Sequence, residues 1–121
     1  MSRIVIVEDD AWLAEHFTRT LSAVGFEAYH YPSAVQAIDA IDELKPDAIV
    51  LDMLLTVTTG LTLLHELQSY SDMAAIPVIV CTNSAGELKA GQLAPYGVRR
   101  VLDKTTMHPD DLVAAVRSVL L

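Results

Sequence analysis

Three short apolar runs and a short last strand of this 121-residue sequence are each followed by residues able to do chemistry. Glu8, Asp9 and Asp10 follow Ile4 to Val7; Asp52 follows Ala48 to Leu51; Thr82 follows Val78 to Cys81; and Lys104 lies just past Arg99 to Leu102. Runs so rich in Val and Ile read as strands buried on both faces of a parallel sheet. In such a sheet the functional crevice lies beyond the carboxyl ends of the strands, so these polar groups are expected to share one edge. Glu8, Asp9 and Asp52 would repel one another in a partly dry crevice unless a cation sat among them. Mg²⁺, or Mn²⁺, takes oxygen ligands and leaves coordination positions for water and a phosphate, which suits phosphoryl transfer. Asp52 then reads as a nucleophile whose carboxylate attacks phosphorus to give an acyl phosphate. Lys104 would neutralise charge on the transferring group, and the Thr82 hydroxyl would donate a hydrogen bond to it. Asp10 reads as a cap for the helix that follows.

The elements that must position these groups alternate regularly. Trp12, Leu13, Phe17, Leu21 and Val24 recur at helical spacing, with Gly25 as the stop. Glu27 to Tyr31 is a weaker strand, Ser33 to Leu44 a helix capped by Ser33, and Lys45-Pro46-Asp47 the break before the next strand. Gly60 to Ser69 forms a helix through Leu61, Leu64 and Leu67, and Ser84 to Ala94 a further one. The last helix opens at Pro109, with Asp110 and Asp111 complementing its dipole and Leu112, Val113, Val116, Val119 and Leu120 facing the core. Five strand-then-helix units imply α/β architecture, a doubly wound five-stranded parallel sheet with helices on both faces. Periodicity alone does not set the strand order, for which the flavodoxin-like 2-1-3-4-5 is one of the common solutions and the one expected here.

A chain of this length, half of it hydrophobic, has room for one core, so residues 1–121 read as a single domain. The formal charge of -8 argues against direct nucleic-acid binding, since nothing offsets repulsion from phosphates. Cys81 is the one cysteine, placed in an apolar run where a buried thiol is expected. The short apolar N-terminal run ends in three acids and fits neither a signal peptide nor a membrane span, so a cytoplasmic, membrane-free setting is expected. His16, His30, His65 and His108 lack metal-ligand spacing and read as surface or boundary residues, and Trp12 reads as a packing residue.

Taken together, Glu8, Asp9, Asp52, Thr82 and Lys104 resemble the site of the receiver domain of two-component response regulators, of the single-domain, chemotaxis-regulator-like kind. The spacings from Asp52 to Thr82 and from Thr82 to Lys104 match that family, and Gly60 stands at its glycine before the third helix. The resemblance implies that Asp52 is the phosphoacceptor, that Glu8 and Asp9 belong to an acidic Mg²⁺ pocket, and that the backbone carbonyl of Leu54 also ligates the metal. It implies a sensor histidine kinase or histidine phosphotransfer protein as donor and an unknown downstream protein or output domain as recipient. Such a domain catalyses its own phosphorylation and dephosphorylation without being an enzyme in the usual sense. Its output surface would comprise the helix at 84–94, the fifth strand and the last helix.

The sequence departs from that family at three places. Val101 stands where many receivers carry an aromatic, Thr105 where a proline follows the lysine, and Leu55-Thr56 where Met-Pro is usual. Val101 has no ring to swing inward, which leaves the helix at 84–94 as the route for the signal; Gly86 and Gly91 each weaken it by about 1 kcal/mol relative to alanine. Lys104-Thr105 is expected to be trans, because a cis bond outside X-Pro costs about 2.5 to 4 kcal/mol, and the turn must reroute to deliver the lysine. One competing reading keeps the fold as a phosphorylation-independent interaction module. Another is a haloacid dehalogenase-type phosphatase, which needs a second acid where Leu54 stands. A flavodoxin would need a phosphate loop after the first strand, where three acids stand instead.

Overall fold

The computed structural model describes residues 2–53, 60–83 and 93–120. Five parallel strands, β1 (Arg3–Val7), β2 (Glu27–Tyr31), β3 (Ala48–Leu51), β4 (Val78–Thr82) and β5 (Val98–Asp103), form one sheet in the order β2-β1-β3-β4-β5. This is the flavodoxin-like order expected. Side chains alternate across a strand, so Ile4 and Ile6 face one layer while Val5 and Val7 face the other. The first layer packs Phe17 and Leu21 of α1 (Ala11–Ala23) with Leu112 and Val116 of α5 (Pro109–Val119). The second packs Ala37 and Ile41 of α2 (Ala34–Leu44) with Leu63, Leu64 and Leu67 of α3 (Gly60–Gln68). β1, β3 and β4 are covered on both faces, which is why they are continuous apolar runs.

Local chemistry sets the helix ends. Asp10 Oδ1 accepts from Leu13 N–H at 3.1 Å and Ser33 Oγ from Gln36 N–H at 3.3 Å, the two N-caps that the sequence suggests. α1 stops at Gly25, whose φ of 97° suits a residue without Cβ. α2 stops at Lys45, also left-handed, before Pro46. At α5 the His108 N–H donates to Asp111 Oδ2 at 2.8 Å.

Several expectations need correction. Trp12 is 73% exposed and stacks on His16 with ring centroids 5.9 Å apart; the buried stripe of α1 is Ala14, Phe17 and Leu21. Trp12 is therefore not a packing residue, and Val24 is likewise exposed. A helix buries only the positions on the face it turns to the sheet, and in α1 that face excludes Trp12. The same holds in α3, where Leu63 is buried and Leu61 is not. A single helical turn, α4 (Ser71–Ala74), buries Met73 and was not expected. Ala94 opens a 3₁₀ turn, Ala94–Tyr96, rather than ending an α-helix, and Pro95 explains the break. Leu93, just before the turn, is helical and buried, and residues 84–92 of the helix expected at 84–94 lie outside the described residues. Cys81 is buried, as expected.

Candidate functional site

The sheet ladder continues one residue past several strands, and this draws the polar groups together. Glu8 N–H donates to Tyr31 O at 3.2 Å, Asp52 N–H to Val7 O at 3.0 Å, and Lys104 N–H to Thr82 O at 3.0 Å. The backbones that carry Glu8, Asp52 and Lys104 are thus tied to neighbouring strand ends along one edge. Because the strands are parallel, those ends lie on one side of the sheet.

Glu8 is 1% exposed and Asp52 6%, so two carboxyl groups are out of water at the same place. Lys104 answers both. Its Nζ is ion-paired with Glu8 Oε1 and lies 3.1 Å from Asp52 Oδ2. Burial pushes the Glu8 carboxyl up to about 7; the hydrogen bond from Lys104 pulls it down, and Asp52 pushes it up again. Burial alone would lower the Lys104 pKa, but Glu8 and Asp52 together outweigh it and hold the ammonium above its ordinary value. The other Glu8 oxygen, Oε2, accepts from Asp10 N–H at 3.4 Å, and the Glu8 carbonyl lies 2.7 Å from His30 Nε2. A carbonyl only accepts, so His30 carries its hydrogen on Nε2. His30 is a contact that the sequence did not single out.

Glu8, Asp9 and Asp52 each offer a carboxylate oxygen, and the three oxygens lie within 4.8 Å of one another. Adjacent ligands of an octahedral Mg²⁺ are about 3.0 Å apart and opposite ones about 4.2 Å, so this donor set of hard oxygens is of the right chemistry for such an ion and would draw closer around it. Asp10 is exposed and caps α1. Leu54, whose carbonyl was expected to ligate the metal, lies outside the described residues, as do Leu55 and Thr56. Thr82 is buried at the end of β4, opposite Asp103 in register. Val101 is half-buried on β5 and packs against the core layer of α2 and α3.

Beyond β5 the Lys104–Thr105 bond is trans, since no cis peptide occurs among the described residues. The expected rerouting takes the form of an Asx turn. Asp103 Oδ1 accepts from both Thr105 N–H at 2.8 Å and Thr105 Oγ1 at 2.6 Å. Asp-x-Thr directly after a strand is a legible signature of such a turn, which sequence reasoning passed over.

Residues 4–117 match the family model of the response regulator receiver domain. The chain belongs to that family. Among curated proteins it is 35% identical over 118 residues to Response regulator MprA of Mycobacterium sp. (strain KMS), covering 98% of this chain and 50% of the relative. It is 31% identical over 118 residues to DNA-binding response regulator MtrA of Mycobacterium tuberculosis, with the same coverage. The receiver thus spans about half the length of the curated relatives it matches. Among solved structures, a sensor protein from Polaromonas sp. JS666 superposes with a TM-score of 0.89 at 26% identity, over 98% of this chain and 95% of that one. Chemotaxis response regulator CheY4 of Vibrio cholerae shares the fold with a TM-score of 0.89 at 21% identity, over 99% of both chains. A receiver domain of this family is consistent with phosphorylation-dependent signalling, and membership sets aside the dehalogenase and flavodoxin readings.

Proposed function

We propose that residues 1–121 act as a cytoplasmic receiver that takes a phosphoryl group onto Asp52 from a phosphohistidine on a sensor histidine kinase or phosphotransfer protein. The observation that carries this reading is the ammonium of Lys104, held 3.1 Å from Asp52 Oδ2 with Glu8 and Asp9 alongside. An Asp52 oxygen attacks phosphorus; the new O–P bond forms as the P–N bond to imidazole breaks, and the imidazole nitrogen takes up a proton. Lys104 offsets negative charge as the phosphoryl group arrives, and the Thr82 hydroxyl donates to one of its oxygens. Glu8, Asp9, Asp52 and the Leu54 carbonyl would hold Mg²⁺ or Mn²⁺, which supplies further charge neutralisation on the phosphoryl oxygens. Water attack on the same acyl phosphate would return the carboxylate, so the domain would assist its own labelling and its own reset.

The phosphoryl group adds about -1.5 to -2 charge at neutral pH, enough to reorganise its neighbours. The segment at 84–94, β5 and α5 form the output surface in this reading. Its recipient is a downstream protein or an output domain; with a net charge of -8, the receiver itself does not bind nucleic acid. Among the described residues no helix is long and apolar enough to cross a membrane.

Incubation with acetyl phosphate and Mg²⁺ followed by mass spectrometry tests the chemistry. One phosphoryl increment is expected, lost in Asp52→Ala and in the presence of a chelator. No increment on the wild-type chain would leave the phosphorylation-independent module as the better reading.

A further inference from the structure

Lys104 stands between two peptide groups that are each held. Its own N–H bonds Thr82 O at 3.0 Å, and the next N–H, of Thr105, bonds Asp103 Oδ1 at 2.8 Å. Thr105 Oγ1 donates to the same carboxylate oxygen at 2.6 Å. The Asp103 carbonyl accepts in addition from Thr106 N–H at 3.2 Å and Met107 N–H at 2.9 Å. Asp103 therefore gathers the whole turn onto itself, with its carboxylate on one side and its carbonyl on the other. The carboxyl is held below its ordinary acidity range, chiefly by the Thr105 hydroxyl and then by the Thr105 N–H, so the ionised acceptor is the form these bonds favour.

The consequence concerns direction. A lysine side chain is a flexible four-carbon stem, and where its ammonium arrives depends on how the backbone aims the Cα–Cβ bond. The planes on both sides of Lys104 are fixed, and its Nζ reaches Glu8 and Asp52. Lys104 also lines a groove of about 180 Å³ with Trp12, Met107 and His108, so a relaxed turn would offer the ammonium an alternative away from the acids.

We propose that Asp103 and Thr105 form a positioning clip that aims the Lys104 ammonium at Asp52. Neither residue touches a reacting atom; both act through Lys104. The proposal rests on the reading of Lys104 as the group that neutralises charge during transfer to Asp52.

Labelling rates with acetyl phosphate and Mg²⁺ test it in wild type, Asp103→Ala, Asp103→Asn, Thr105→Ser, Lys104→Ala and the double variant Asp103→Ala/Lys104→Ala. Misdirecting the ammonium in Asp103→Ala slows labelling about tenfold, while Asp103→Asn and Thr105→Ser, which keep the acceptor and the hydroxyl, stay within about twofold of wild type. Loss of a negative charge by itself would help an anionic donor approach, so slowing in Asp103→Ala points to geometry. On the Lys104→Ala background the Asp103→Ala change has no further effect, because nothing is left to aim. The proposal is overturned by an Asp103→Ala rate at or above wild type, by Asp103→Asn as slow as Asp103→Ala, or by an unchanged penalty on the Lys104→Ala background. If wild type takes no phosphoryl group, or Lys104→Ala labels as fast as wild type, the functional reading of Lys104 fails separately. The clip is then judged without activity, by the Lys104 ammonium signal in proton–nitrogen NMR spectra. Its loss to solvent exchange in Asp103→Ala, but not in Asp103→Asn, supports the clip, and its persistence in Asp103→Ala overturns it.

Discussion

Replacing Lys104 by methionine would remove the cation that two buried carboxyl groups share. At 3.1 Å from Asp52 Oδ2, and at an effective dielectric of about 20, the attraction between the two unit charges is at most about 5 kcal/mol. Desolvation of the ammonium offsets part of it, and breaking a buried pair by deleting one partner typically costs about 3 to 5 kcal/mol. We expect Lys104→Met to lose about 3 kcal/mol in the metal-free protein at pH 8, which for a urea slope of about 2 kcal/mol/M moves the midpoint by about 1.5 M. The loss should depend on pH in a stated direction. Glu8 keeps its proton to about 7 in the folded chain against 4.5 ordinarily, so its contribution to stability is complete below 4.5 and is lost as pH rises through about 7. Lys104 is one of the influences lowering that value; without it the Glu8 carboxyl titrates higher, and the variant goes on losing stability where wild type has levelled off. The penalty at pH 8 should therefore exceed that at pH 6. Urea denaturation followed by circular dichroism at both pH values, with chelator and then with Mg²⁺, measures it, and Mg²⁺ should stabilise the variant more than wild type. A penalty under about 0.5 kcal/mol, or one equal at the two pH values, would mean that Lys104 behaves as a solvated surface lysine.

Cys81 is buried, and burial pushes its thiol up to about 12, so a thiol reagent at pH 8 should label it only in denaturant. Trp12 is the one tryptophan and is 73% exposed; its fluorescence should be strongly quenched by acrylamide, and Trp12→Ala should change stability by less than about 0.5 kcal/mol in thermal melts. Asp10→Ala removes the N-cap bond to Leu13 and should cost about 1 kcal/mol in urea titrations. Leu64→Ala, deep in the layer between the sheet and α3, should cost about 2 to 5 kcal/mol by the same measurement.

Much of this protein was legible in one dimension. Strands covered by helices on both faces must be apolar throughout, so β1, β3 and β4 announce themselves as uninterrupted Val and Ile runs, and the residue after each run must lie on the sheet's carboxyl edge. That rule identified Glu8, Asp9, Asp52 and Thr82 as residues to bring together, and the weaker last strand added Lys104. Caps at Asp10 and Ser33 were legible because they satisfy orphan N–H groups within their own segment.

What only the tertiary structure decided concerns groups whose partners are distant in sequence. Helical spacing offered Trp12 and Leu13, or Leu61 and Leu64, as equal candidates for the core; the inner face was set by where the sheet lies, and it left Trp12 in water. The lysine opposite three acids was expected, but its sharing between Glu8 and Asp52 depends on its side chain reaching past the ends of β4 and β3, and the His30 contact behind Glu8 on the pairing of β2 with β1. Substitution of a proline by Thr105 reads in sequence as the loss of a part. In three dimensions its N–H and hydroxyl are both bound by Asp103, because a hydrogen-bond donor acquires meaning only when an acceptor is folded onto it.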